Sequence, residues 1–198
     1  MDVRQQISEA LAAAAAAGRA WGAQWVVGGS SGLLLRGLKL PAAPRDLDLY
    51  ADEEDARALH RGLERYAVDV PAWSETDMYR SLLSHYVIHG VEVELVGGFI
   101  VTAKGCRYRA EVREVLRPYG ENVRLLGRDV TIAPLAHEFW FNLLRAREDR
   151  CTLIGPALGR EAESGRVLAE IERRNRFSPE AVAEARKWLE GMKAGAGN

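Results

Sequence analysis

The apolar and polar positions of this chain alternate with different periods, and the changes mark out its elements. Val3–Ala17, with the alanine run from Leu11, reads as a first helix ended by Gly18. The apolar run Trp25-Val26-Val27 reads as a strand. It enters Gly28-Gly29-Ser30-Ser31-Gly32, and a helix with Leu33, Leu34 and Leu35 follows, which Ser30 or Ser31 can cap. Arg45-Asp46-Leu47-Asp48-Leu49-Tyr50 alternates like a strand, with leucines on one face and both aspartates on the other. Glu53–Tyr66 places Leu59 and Leu63 on one side of a helix. Pro71–Tyr79 reads as a loop or irregular strand. Tyr86–Gly98 reads as a hairpin turning at His89-Gly90, with Val91, Val93 and Leu95 on one face of its second strand and Glu92, Glu94 and Val96 on the other.

The pattern changes in the second half. Residues 99–131 give short β-like runs between Gly and Pro, with a hairpin over Val123–Thr131. Pro134 opens a helix over Leu135–Arg145, and the rest is helical with breaks expected near Gly155-Pro156 and Phe177-Ser178-Pro179. Ser178-Pro179-Glu180 is a helix start, serine as cap and proline in the first turn. The tail Ala194–Asn198 is expected to fray. These elements predict an α/β (α+β) protein in two parts: an α/β domain over residues 1–132 and a helical segment over 133–198 packed on it.

Composition alters this picture little. At 198 residues and 47% hydrophobic, the chain can bury a sizeable core. A net charge of −1 gives no basic surplus for a long nucleic-acid footprint, although a local basic patch stays compatible with it. Cys106 and Cys151 have no metal-ligand spacing and are expected to be reduced, which points to the cytoplasm. The alanine run is too short and too closely flanked by charge to span a membrane, and no signal-peptide pattern precedes it.

The candidate chemistry lies in the first half. Two aspartates side by side on a strand repel each other, and they are explained either as solvated surface acids or as ligands of a shared cation, for which oxygen donors favour Mg²⁺. Glycines at a strand–helix junction admit close approach to the backbone, and a helix N-terminus there suits phosphate. Neither a dinucleotide fingerprint nor a P-loop is present. Glu94 is the preferred third acid because it lies deeper in the apolar run, with Glu92 as the alternative. Arg45 suits either a phosphate or a pair with Asp48. His137-Glu138 lacks the second histidine of a zinc helix. His85 and His89 share a face near the third acid and read first as ordinary structural or surface histidines. Arg145, Arg147 and Arg150 read as a cationic helix end. Of the five tryptophans, Trp73 is the best candidate for a stacking platform.

Taken in order, Gly28-Gly29-Ser30, Asp46-Leu47-Asp48 and the later Glu94 resemble the nucleotidyltransferase superfamily of DNA polymerase β, over about residues 22–97. The approach Arg45-Asp46-Leu47-Asp48 is similar to that of small antibiotic-modifying and toxin-type members. The resemblance implies a nucleotidyltransferase fold, a mixed sheet flanked by helices. It implies a Mg²⁺-dependent enzyme with a two-metal site that moves a nucleoside monophosphate from a nucleoside triphosphate, such as ATP, to an acceptor hydroxyl and releases pyrophosphate. Asp46, Asp48 and Glu94 would hold the metal and form the catalytic set, and Gly28, Gly29, Ser30 and Arg45 would bind the nucleotide. The acceptor is open between a small hydroxylated molecule, a tRNA end and a protein hydroxyl, and the near-neutral charge does not favour nucleic acid. The alternative is a non-catalytic nucleotide-binding or regulatory module on the same fold.

Overall fold

A computed structural model describes residues 3–195, and among them the chain divides into two compact units. One takes the chain up to Phe99 together with Ala110–Ala133. The other takes Ile100–Arg109 and the chain from Pro134 onward. The second unit thus includes a ten-residue excursion from the first half that the apolar pattern does not mark. The tail over Ala194–Asn198 falls at and beyond the end of the described residues.

The first unit is a mixed sheet flanked by helices. Its elements are α1 (Val3–Trp21), β1 (Trp25–Val27), α2 (Gly29–Leu35), β2 (Leu47–Ala51), α3 (Glu53–Leu63), β3 (Ala72–Glu75), β4 (Tyr79–Ile88) and β5 (Val91–Ala103). After β6 (Cys106–Arg109), which lies in the other unit, come a π-helical turn over Val112–Leu116 and the hairpin β7 (Glu121–Leu125) and β8 (Arg128–Ile132). The strands run in the order β3-β4-β5-β2-β1-β8-β7. β2 is parallel to β5 and β1 to β8, while β1–β2, β3–β4 and β7–β8 are antiparallel.

Alternation decides which face is covered. Leu47 and Leu49 of β2, Val93 and Leu95 of β5, and Tyr86 and Ile88 of β4 are buried in one cluster with Ile7, Leu11 and Ala14 of α1 and Leu59 and Leu63 of α3. Each fully buried leucine contributes about 1.5–3 kcal/mol, so this face fixes the strand register. Below the cluster's edge, the buried Asp55 accepts two hydrogen bonds from Arg113, at 2.6 and 2.7 Å, and one from the Gln24 amide at 2.9 Å.

Two expected boundaries move. α1 does not stop at Gly18 but continues to Trp21, where Gly22 takes the left-handed conformation with φ +65°. A Cβ at position 18 would stand 2.6 Å from Trp25 Nε1, so this glycine makes room for the indole and does not end the helix. The segment expected to be a loop or irregular strand forms β3, an edge strand paired with β4. Its side chains are largely exposed, so no apolar period announces it.

In the second unit, the end of β5 pairs with β6, and four helices follow: α4 (Leu135–Leu144), α5 (Glu148–Leu158), α6 (Ser164–Arg174) and α7 (Pro179–Gly195). Every residue of α4 is buried. The break expected near Gly155-Pro156 falls a little later, between Leu158 and Ser164. Pro156 sits in the last turn of α5, where its missing N–H removes a single intrahelical bond, and the buried Ile154 and Leu158 on either side hold the helix to Leu158. The break at Phe177-Ser178-Pro179 is observed. Ser178 Oγ accepts from the Ala181 amide at 3.2 Å, the expected cap. No helix among the described residues is long and apolar enough to cross a membrane.

Candidate active site

The site begins where β1 meets α2. The Gly28 amide donates to the Asp48 carbonyl at 3.0 Å, which extends the β1–β2 ladder by one bond and brings the glycine turn alongside the acids. α2 starts at Gly29, with Gly28 in the N-cap position and no side chain capping it. The serines therefore do not cap as expected. Ser30 lies in the first turn. Ser31 is fully buried and its hydroxyl donates to the Asp46 carbonyl at 2.9 Å, tying α2 to the approach of β2. Gly29 has φ +59°, and a Cβ there would collide with Asp48 Oδ2. The Asp48 carboxylate thus lies directly against the backbone of the turn, a contact only glycine permits.

The strand register sets the acids. Asp46 precedes β2, which starts at Leu47 and not at Arg45. Asp48 stands opposite Glu94 on the parallel neighbour β5. Leu47 and Leu49 point into the core, so Asp46 and Asp48 share the other face, and Glu94 joins them there with Glu92 two positions earlier. Glu92 is exposed and Glu94 half-buried. Burial pushes the Glu94 carboxyl above its ordinary value, and the charges of Asp46 and Glu92 push it further, against an opposing pull from His85. Tyr50 continues this face. It stacks on Phe99 at 5.8 Å between centroids, and Tyr79 also meets Phe99, tilted, at 5.8 Å.

The three acids share a face but not a common centre. Among the described residues no three His, Cys, Asp or Glu side chains stand close enough to hold one ion. The donors themselves suit a hard cation, being carboxylate oxygens only, and the Glu94 carboxyl is raised first by burial and then by its acidic neighbours. Arg45 is exposed and forms no ion pair among the described residues, so it does not pair with Asp48.

One histidine beside the acids has a partner with no signal in the sequence. Counting back from the two-residue turn at His89-Gly90 sets His85 of β4 opposite Glu94. Asp69 grips this histidine twice, accepting from its backbone amide at 2.7 Å and standing 2.6 Å from Nδ1. Burial raises the Asp69 carboxyl, but the hydrogen bonds and charge of His85 outweigh it and hold the group below its ordinary value. Alternation already sets His85 near the third acid. Nothing local could have found an acid sixteen residues away in a loop. His89 sits in the turn at φ +52°.

The remaining candidates are engaged elsewhere. Arg80 lies 3.9 Å over the Trp73 ring and occupies one face of it. Arg147 pairs with Asp149 at 2.8 Å, and Arg145 donates to Asn142 at 2.9 Å and covers the Phe141 ring. His137 is fully buried with Nδ1 2.6 Å from the Tyr108 hydroxyl, and burial, helped by Arg145, holds it down to about 3. Both cysteines are free and buried.

No protein-family model matches the sequence, and no curated protein matches it. Solved structures do. A Thermotoga maritima protein provisionally assigned as a nucleotidyltransferase superposes with a TM-score of 0.59 at 23% identity, over 72% of this chain and 86% of that one. ANT(2″)-Ia in complex with adenylyl-2″-tobramycin gives a TM-score of 0.50 at 17% identity, over 85% and 95%. The solution structure of ANT(2″)-Ia, described as an antibiotic-resistance factor, gives 0.51 at 17% identity, over 88% and 94%. With its strand–glycine turn–helix joint and mixed sheet flanked by helices, the chain has the nucleotidyltransferase fold.

Proposed function

We propose that this protein is a nucleotidyltransferase that moves a nucleoside monophosphate from a nucleoside triphosphate to an acceptor hydroxyl. One observation carries the reading: Asp48 lies against the Gly29 backbone and opposite Glu94, so the glycine turn and the acids belong to one surface. In this reading the triphosphate rests on the backbone of Gly28, Gly29 and Ser30, with Arg45 free to reach it. An acceptor oxygen forms a bond to the α-phosphorus as the bond to the bridging oxygen breaks, and pyrophosphate leaves. Asp46, Asp48 and Glu94 would hold Mg²⁺, which when bound neutralises phosphate charge and favours ionisation of the attacking hydroxyl. Glu94, whose carboxyl is pushed up by its neighbours, is suited to receive the acceptor's proton. Asp69 fixes the ring of His85 beside it.

The acceptor class we place first is a small hydroxylated molecule, because the net charge of −1 offers little to a long nucleic acid. The complex of ANT(2″)-Ia with adenylyl-2″-tobramycin, on the same fold, supports that order. A tRNA end and a protein hydroxyl are the other classes to test. Thermal stability is measured with each nucleoside triphosphate, with and without Mg²⁺, followed by capture of labelled nucleotide on acceptor pools. Metal-dependent stabilisation with pyrophosphate release is expected. No metal-dependent stabilisation by any nucleotide would sink the proposal, and binding without transfer across all pools would favour the regulatory module.

A further inference from the structure

The basic residues of the first unit are unevenly placed. Two adjoining concavities of about 360 and 410 Å³ open at the Trp25 end of β1 and share Gln24, Arg117 and Thr131 in their walls. Volumes of this size accommodate a small ligand. β1 is three residues long, so this end is about 10 Å along the strand from the glycine turn, at the opposite rim of the sheet. β8 runs parallel to β1 and brings Arg128 to the same rim, while the last turn of α1 brings Arg19.

What distinguishes the wall is uncompensated positive charge. Arg113, at its margin, is neutralised by Asp55. Arg117 is not: its guanidinium leans on the Trp25 carbonyl and the Thr131 hydroxyl, both neutral and both at 3.4 Å. Thr131 is buried and itself donates to Asn122 at 2.8 Å, so the surface beneath Arg117 is fixed. Arg19 and Arg128 form no ion pair among the described residues. The one acid on the wall, Asp129, faces Arg124 at 3.4 Å. Three arginines therefore line one hollow with a single acid that is already approached by another arginine. Guanidiniums bind phosphate oxygens through paired N–H donors, and a concave wall lets several act on one anion.

We infer that this hollow, lined by Arg19, Arg117 and Arg128, is a binding site for a small phosphate-bearing polyanion, separate from the acid face. A nucleic-acid backbone fits less well, because the arginines line a hollow of small-ligand size and the chain as a whole carries a charge of −1.

The probe is inorganic pyrophosphate, titrated calorimetrically into the full chain in metal-free buffer, where the acid face repels anions. Saturable binding is expected, with sodium chloride at equal ionic strength as the control. The double variant Arg19→Ala/Arg128→Ala alters exposed side chains and should keep its fold by circular dichroism. It is expected to lose roughly tenfold or more in pyrophosphate affinity while keeping its Mg²⁺-dependent response to nucleoside triphosphate. Arg128→Glu alone should also weaken pyrophosphate binding. Unchanged affinity in the double variant overturns the inference, as does a wild-type response no larger than that to chloride. So does an oligonucleotide that binds through Arg19 and Arg128 when pyrophosphate does not. The nucleotide response is read on the same samples, so failure of this site and failure of the proposed transferase activity are told apart.

Discussion

The acid face of the first unit and the interior of the second treat a buried titratable group in opposite ways. His137 is fully buried, holds the Tyr108 hydroxyl at 2.6 Å and is kept neutral by its surroundings. Its conflict with burial is resolved by giving up charge. Glu94 is half-buried beside two further acids, and the field of those acids adds to the effect of burial. The same unit neutralises Asp55 completely with Arg113, so charge compensation is available to this fold where only stability is at stake. The acid face thus gathers like charge beside a backbone turn that only glycine can make, where the Asp55–Arg113 pair brings opposite charges together.

The largest effect is expected from Asp48→Asn, which removes one charge at nearly constant volume. Nucleotidyl transfer, followed as labelled product, is expected to fall by roughly a thousandfold with the circular dichroism spectrum unchanged. Activity that survives the change would remove Asp48 from the metal site. Next is Gly29→Ala. The new methyl meets the Asp48 carboxylate and the backbone is left-handed, so a loss of about 1–3 kcal/mol in denaturant unfolding is expected, together with loss of nucleotide binding. A neutral result would mean that Asp48 swings away from the turn at no cost.

The second unit gives a pH test. His137 titrates near 3 when folded and near its ordinary value of 6.5 when unfolded, so the unfolded chain takes up the proton first. Its contribution to stability is complete above about 6.5 and is lost as the pH falls from there towards 3. His137→Gln should flatten the acid limb of a plot of melting temperature against pH, and an unchanged slope would assign the acid loss to other groups. The smallest effect expected is a gain. The Glu94 carboxyl is raised when folded, so its ionised form costs stability once the pH exceeds its ordinary value of 4.5. Glu94→Gln should therefore raise the melting temperature of the metal-free protein at neutral pH while weakening the Mg²⁺-dependent response to nucleotide. A lowered melting temperature would show that this carboxylate is already compensated.

Much of the acid face was legible because its signals are local. Alternation puts Asp46 and Asp48 opposite Leu47 and Leu49, the glycines mark the strand–helix joint, and His89-Gly90 marks the hairpin. The misread elements depend on distant partners. Gly18 looks like a helix stop until Trp25 is seen filling the space a side chain would take. Ser31 looks like a cap until its hydroxyl is found on the Asp46 carbonyl, fifteen residues away. β3 lacks a period because it is an edge strand with exposed side chains.

By itself, then, the sequence determined which residues could carry the chemistry and on which face of their own strands they lie, because a strand's period of two is an intrinsic property of the backbone. Only the tertiary structure decided that β5 lies parallel to β2 with Glu94 opposite Asp48, that Asp69 reaches His85, and that Ile100–Arg109 belongs with the helical unit. Register and long-range pairing follow from burying the leucine face against α1 and α3, a collective packing energy that no short stretch of chain contains.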